Sequence, residues 1–236
     1  MTSSPYSWLM LAGIGVSLFF WSRLAKRDER LLVIYLAALV CTFLGAKLVY
    51  LAAEGWMFWD DPQRWTIWAT GKTILGALLG GYAGVEAAKK LTGYVAPTGD
   101  WFALIAPGGI ILGRIGCLLH GCCPGVVCEP TWWTIRDAQG VARWPAVPVE
   151  IAFNAVAIFV FLGFRWRHLL TGQHFHLYLI GYGMFRFLHE FLRATPRVVG
   201  EISGYQIAAL AVAALGVAGF LRRQYARPVS SDAPLA

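Results

Sequence analysis

Charge is scarce in this chain of 236 residues: Asp, Glu, Lys and Arg together make up 14% of it, against about 25% in soluble domains. Too few ions are present to clothe a water-facing surface, which excludes an ordinary cytosolic enzyme. A disordered chain is excluded as well, because disorder needs low hydrophobicity and high charge. Cysteine is sparse, with five residues, four of them within twelve positions; a secreted disulfide scaffold needs more, spread along the chain. No Lys or Arg precedes the first apolar run. A cleaved signal peptide begins with a basic stretch, so residues 1–21 read as a retained anchor. Internal repeats and low-complexity segments are also missing. What is abundant is apolar: hydrophobic residues reach 58% and mean hydropathy is +0.57. Most of the chain is expected to face lipid.

About seven apolar stretches approach the roughly 20 helical residues that span a bilayer core. They fall near residues 6–21, 31–53, 66–88, 101–119, 150–164, 176–192 and 202–221. The runs are long, rich in Leu and Ala, and lack the strict alternation of strands. Helices also satisfy their backbone hydrogen bonds internally, as lipid requires. The expected fold is therefore all-α and polytopic, one transmembrane domain over residues 1–236 with a short solvated tail at 227–236.

The basic residues say which way the chain runs. Arg23, Lys26, Arg27 and Arg30 follow the first span, Lys89 and Lys90 the third, Arg165 and Arg167 the fifth, and Arg222, Arg223 and Arg227 the seventh. Eleven of the 20 basic residues thus sit in every second loop. Positively charged loops stay in the cytoplasm, which puts the N-terminus outside and the C-terminus inside. The net charge of +7 is then topological, and nucleic acid is not an expected partner.

Ionisable groups at membrane depth are costly and face a cavity or a partner. Lys47 and Lys72 have a simple reading, with their long stems reaching to an interface. Arg114 lies in Trp101-Phe-Ala-Leu-Ile-Ala-Pro-Gly-Gly-Ile-Ile-Leu-Gly-Arg-Ile-Gly-Cys. There Pro107-Gly108-Gly109 is expected to interrupt the helix, and Gly113, Gly116, Gly121 and Gly125 bring backbone close to a ligand or another helix. An anionic headgroup is the ligand such an Arg fits. In the sixth span Tyr182, Arg186, Glu190 and Arg193 share one helical stripe at steps of four, four and three, a polar wall with His189 beside it. Gly76, Gly80 and Gly84 recur every four residues, a pattern for close helix packing.

Cys41 is mid-span and reads as inert packing. For Cys117, Cys122, Cys123 and Cys128, with His120 among them, several readings stay open. The spacing C-x4-C-C-x4-C lacks the C-x2-C knuckle of a zinc site. A disulfide suits an oxidising face, and a thiolate near Arg114 and His120 would be reactive. Small buried packing residues are the fourth reading. No metal and no cofactor is expected.

On these residues the chain resembles the prolipoprotein diacylglyceryl transferase family. The family signature Gly-Arg-x-Gly-Asn-Phe-x-Asn-Gly-Glu-x-x-Gly is similar to Gly113-Arg114-Ile115-Gly116-Cys117-Leu118-Leu119-His120-Gly121-Cys122-Cys123-Pro124-Gly125. A later Arg-x-Pro loop looks like Arg143-Trp144-Pro145 followed by Glu150. The sixth-span motif looks like Leu179-Ile180-Gly181-Tyr182-Gly183-Met184-Phe185-Arg186 with Glu190-Phe191-Leu192-Arg193, and Gln206 follows Tyr205 in the last span. The family's Asn, Asn and Glu are Cys117, His120 and Cys122 here, and its third-span His falls on Leu75.

The resemblance implies a seven-span bacterial inner-membrane transferase with its N-terminus outside. It would move a diacylglyceryl group from phosphatidylglycerol, or a similar anionic phospholipid, to a lipoprotein precursor or another thiol acceptor. Arg114, Arg186, His120, Glu190, Cys117 and Cys122 are the expected catalytic residues, His120 as the missing base. Tyr182, Arg143, Arg193, Gly113, Gly116 and Gly125 are expected to bind substrate. Two alternatives remain: a thiol-based oxidoreductase or metal-binding membrane protein on the same scaffold, and a non-catalytic relative that binds anionic lipid.

Overall fold

The structure is a computed structural model that describes residues 13, 15, 17–19, 21–23, 26 and 28–225. From Arg30 onward its helices, in chain order, are α1 (Arg30–Ala53), α2 (Arg64–Thr70), α3 (Ile74–Thr92), α4 (Gly99–His120), α5 (Ala146–Trp166), α6 (His174–His189) and α7 (Gly204–Tyr225), with single 3-10 turns at Gly55–Phe58 and Glu190–Leu192. Of these, α1, α4, α5 and α7 are long and apolar enough to cross a membrane. The helical membrane protein expected from composition is what forms. At 16 residues α6 reaches only about 24 Å, and the 3-10 turn after it carries the chain on. The expected first span, 6–21, lies largely outside the described residues, as does the tail at 227–236. Within the former, Trp21 is buried against Tyr35 and Phe102 at ring separations of 5.4 and 5.2 Å.

The helices pack as three tight pairs, α1 with α3, α4 with α5 and α6 with α7, and α4 also meets α6. The glycine pattern of α3 does what its spacing predicts. A Cβ on Gly76 would sit on the carbonyl oxygen of Gly45, and one on Gly80 on that of Cys41, so backbone lies directly on backbone. Between α6 and α7, Gly183 and Gly216 meet the opposing backbone in the same way. Leu75, Leu78, Ala103, Tyr178, Leu179 and Val212 fill the centre. Phe43, Leu48 and Phe159 point outward, as residues do whose solvent is lipid.

Two expectations about continuity need correcting. The predicted span 66–88 is two helices, parted at residues 71–73. Gly71 must be glycine there, because the ring of Tyr50 occupies the place of its Cβ. Lys47 Nζ donates to Trp68 O at 2.8 Å and to Ala69 O, capping the end of α2. Conversely, Pro107-Gly108-Gly109 does not interrupt α4, which runs unbroken from Gly99 to His120. Proline frees one carbonyl, a loss that packing neighbours in a bundle absorb.

After α4, Gly121 turns the chain with φ +63°, and residues 121–145 lie over the helix ends. A two-stranded antiparallel ribbon, β1 (Ile135–Arg136) with β2 (Ala142–Arg143), departs from the all-α expectation. Val126 N donates to Leu192 O at 3.0 Å, Ala194 N to Pro124 O at 3.2 Å and Trp144 N to Val126 O at 2.9 Å. Gly125 is pressed against the carbonyl of Trp144, with no room for a side chain. These bonds tie the end of α4, the start of α5 and the end of α6 together.

Candidate functional site

The three tied helix ends each bring charge inward, and the charges meet at Glu150. This residue lies in the first turns of α5 with no exposed surface. From α4, Arg114 Nη2 stands 2.9 Å from Glu150 Oε2. From α6, Arg186 Nη1 is 3.6 Å from the same oxygen and Tyr182 Oη donates to Oε1 at 2.6 Å. Just past α6, Arg193 Nη1 is 3.7 Å from Oε2. A second carboxylate, Glu190, accepts from Arg186 Nη2 and Thr195 Oγ1, each at 2.7 Å, with Arg193 Nε at 3.6 Å. The helical stripe Tyr182, Arg186, Glu190, Arg193 is thus a single inward wall.

The balance within this cluster is uneven. Three guanidiniums face two carboxylates, and Arg114, Arg186 and Arg193 are 7%, 4% and 6% exposed. Five of their nitrogens have no hydrogen-bond partner: Nε of Arg114, and Nε and Nη1 of both Arg186 and Arg193. Buried donors without acceptors are costly, and buried charge is costly unless compensated. The arrangement suits one further anion with several acceptor oxygens, such as a phosphodiester. Deeper in the bundle, Tyr178 Oη donates to Asn154 Oδ1 at 2.7 Å and Asn154 Nδ2 to Glu150 O at 2.8 Å, fixing the α5–α6 face behind it. A cleft of about 590 Å³ lies elsewhere, at the opposite ends of α4 and α5, lined by Asp100, Arg165, His168 and His174 among others.

The expected residues distribute unequally. Arg114, Arg186, Glu190, Tyr182 and Arg193 come together as expected. Gly116 is buried; Gly113, with Gly108 and Gly109 on α4 and Gly181 on α6, faces open space. Arg143 stays outside the cluster: its Nε pairs with Asp137 Oδ2 at 2.5 Å and its Nη1 donates to Gly125 O at 3.2 Å. That pairing holds the Asp137 carboxyl below the usual carboxylate range. Arg143 therefore braces the covering loop.

His120 is the misplaced member. It is exposed at the end of α4, whereas Arg114 is buried. Six residues turn a helix by about 600°, or about 240° beyond a full turn, so the two cannot share a face. The imidazole beside the cluster is His189, buried, with Nε2 accepting from Trp144 Nε1 at 3.1 Å. Leu75, where the resembling family has a His, is buried in the same apolar core as Tyr182.

Sulfur gathers at the outer edge. All five cysteines are free thiols, so no disulfide ties the loop. The Sγ atoms of Cys117, Cys122 and Cys123 lie within 4.8 Å of one another, and Arg114 Nη1 approaches Cys117 Sγ at 3.8 Å. The thiol of Cys123 is pulled well below the ordinary thiol range by its hydrogen bond with Cys117, helped by the Arg114 and Arg193 guanidiniums, although burial opposes this. Cys122 is pushed up, chiefly by burial.

Two residues of the site escaped sequence reasoning as site residues. Glu150 carried a legible signal, a carboxylate at the head of an apolar run, yet it entered only through the Arg143-Trp144-Pro145 likeness. His189 was placed beside the polar wall by its position in the sixth span but was given no role, since a histidine at a helix end is common.

The profile of a family described as prolipoprotein diacylglyceryl transferase matches residues 2–222. The chain is similar to a phosphatidylglycerol–prolipoprotein diacylglyceryl transferase 2 of Clostridium perfringens, at 28% identity over 229 residues, 90% of this chain and 88% of that protein. The corresponding transferase of Aeromonas hydrophila is 33% identical over 173 residues, 70% of this chain and 63% of that protein. That of Vibrio atlanticus is 27% identical over 227 residues, 90% and 83% respectively.

Proposed function

Because the chain belongs to the prolipoprotein diacylglyceryl transferase family, we propose that it moves the diacylglyceryl group of phosphatidylglycerol, or of a similar anionic phospholipid, to the thiol of a prolipoprotein. The observation that carries this reading is the surplus of buried guanidinium donors around Glu150 and Glu190. In the transfer a sulfur–carbon bond forms, the carbon–oxygen bond to phosphate breaks, and glycerol phosphate leaves with the electron pair. The thiol proton ends on the departing glycerol phosphate or on water, so the step balances. Charge therefore grows on the departing phosphate, and preorganised guanidiniums in a water-poor site stabilise it best.

Arg114 and Arg186 take the phosphate oxygens, Arg193 adds charge, and Glu150 with Tyr182 fixes their orientation. Glu190 holds Arg186 and Arg193 from the other side. Arg114 Nη1 lies 3.8 Å from Cys117 Sγ, so an acceptor sulfur brought beside Arg114 would be within guanidinium reach, which favours its thiolate. Cys122 stands one step further out, and His120 has no part in this scheme. The bare glycine faces at Gly109 and Gly113 on α4 and at Gly181 on α6 leave room for acyl chains to enter sideways. The setting is a multi-pass protein of the bacterial inner membrane, seven spans, N-terminus outside and C-terminus in the cytoplasm, as the alternation of basic loops favours.

The test is mass spectrometry of a lipobox peptide incubated with phosphatidylglycerol vesicles and the purified chain. Arg114→Lys and Arg186→Lys keep the charge and lose the bidentate fork. Each is expected to cut thioether product by about 10²-fold, the scale of losing one preorganised donor. Unchanged product formation by both variants would overturn the assignment; lipid binding without product, in the unsubstituted chain, would leave a non-catalytic lipid-binding relative.

A further inference from the structure

The covering loop does something the transfer does not require: it gathers three thiols. Gly121 takes φ +63°, and Cys123 takes the same value, a left-handed backbone that side chains other than Asn and Asp seldom adopt. Cys122 N bonds back to Cys117 O at 3.1 Å. The result reverses the chain, so that the sulfurs of Cys122 and Cys123 return to that of Cys117 and do not trail outward. Cys122 Sγ and Cys123 Sγ are 3.9 Å apart, and all three sulfurs lie within 4.8 Å of one another. A tetrahedral zinc-type ion with metal–sulfur bonds of about 2.3 Å sets its sulfurs about 3.8 Å apart. Rotamer adjustment alone closes the difference.

We propose that Cys117, Cys122 and Cys123 form a three-thiolate site for a thiophilic divalent cation of the zinc(II) class, with the fourth corner open at the exposed side of Cys122. This departs from the sequence expectation of no metal, which rested on the missing C-x2-C knuckle. A helix end and a left-handed turn replace the knuckle here. On binding, each thiol forms a sulfur–metal bond and loses its proton to water, so one dication and three thiols give a complex of charge −1 and three protons. The Arg114 guanidinium beside Cys117 offsets that charge. Soft sulfur donors select such ions over magnesium or calcium. The inference does not rest on the transfer reaction.

Cobalt(II) is the probe. The full chain, purified in detergent under reducing conditions and stripped with a chelator, is expected to bind one equivalent. Sulfur-to-cobalt charge-transfer absorption should then appear in the near ultraviolet and be bleached by zinc(II). The Cys41→Ser/Cys128→Ser double variant should retain the band, and the triple Cys117→Ser/Cys122→Ser/Cys123→Ser variant should lose it. Cys122→Ser alone, at an exposed position that the fold does not need, should weaken cobalt affinity at least tenfold. No charge-transfer band with the thiols counted as free, unchanged affinity in Cys122→Ser, or a disulfide between any two of the three in the untreated chain would each overturn the proposal.

Discussion

Glu150 does at residue scale what the arginines cannot do for themselves. Three guanidiniums packed at the ends of α4 and α6 would repel, and this one carboxylate touches all three. Glu150→Gln keeps the shape and removes the charge, so the cluster retains only Glu190. Thermal melting in detergent should show a loss of about 3–5 kcal/mol, the scale of breaking a buried ion pair from one side. Loss of less than about 1 kcal/mol would mean that the arginines are neutralised by something else. On the loop above, Asp137 behaves differently because it lies outside the cluster, part-buried, with Arg143 as its charged partner. Its carboxyl titrates below the ordinary value of about 3.9, through the hydrogen bond with Arg143. The folded form is therefore the stronger acid, its contribution is complete above the ordinary carboxylate pKa, and it fades as pH falls through the lowered one. Amide exchange at the ribbon Ile135–Arg136/Ala142–Arg143 should accelerate only below about pH 4, and Asp137→Asn should remove that dependence.

At the scale of elements, glycine has two opposite uses on neighbouring helices. On α3 it allows contact: the place of a Cβ on Gly80 is filled by the backbone of Cys41 in α1. On α4 it leaves a gap, since nothing lies within 4 Å of a Cβ built on Gly109. The same substitution should therefore have opposite signs. Gly80→Ala is expected to destabilise by about 1–3 kcal/mol through overpacking. Gly109→Ala is expected to be neutral or stabilising by up to about 1 kcal/mol, since alanine favours helix. Equal melting shifts for the two would refute the distinction. The second element-scale device is the tie between loop 121–145 and the end of α6, where Val126 meets Leu192 and Pro124 meets Ala194. It fixes Arg114, at the end of one helix, against Arg193, beyond the end of another.

For the whole molecule the question is which face of the membrane carries the thiols and the arginines. In the proposed topology residues 121–145 lie outside and Arg222 and Arg223 inside. Cys122 is exposed, so a membrane-impermeant maleimide added to intact cells whose outer membrane has been opened should label it, and Cys122→Ser should lower that labelling. A reporter fused after residue 225 should be active only in the cytoplasm. Labelling that requires the inner membrane to be broken would invert the topology and remove the acceptor protein from reach of the site.

Much of this was legible along the chain. Scarcity of charge and long Leu- and Ala-rich runs determined a helical membrane protein, because lipid leaves the backbone no other partner than itself. A spacing of four placed Tyr182, Arg186 and Glu190 on one face, and the same spacing announced a close-packing face on α3, though not its partner, since helical period is a local property. The sequence could not say that Glu150 sits between Arg114 and Arg186, 36 residues from each. Nor could it say that Pro107 leaves α4 whole, that residues 71–73 divide one apolar run in two, or that His120 is exposed while Cys117, Cys122 and Cys123 converge. Those outcomes depend on which helix ends meet and on how one loop reverses over them. Such contacts join residues far apart in the chain, and the balance of burial against charge that selects them exists only once the bundle has closed.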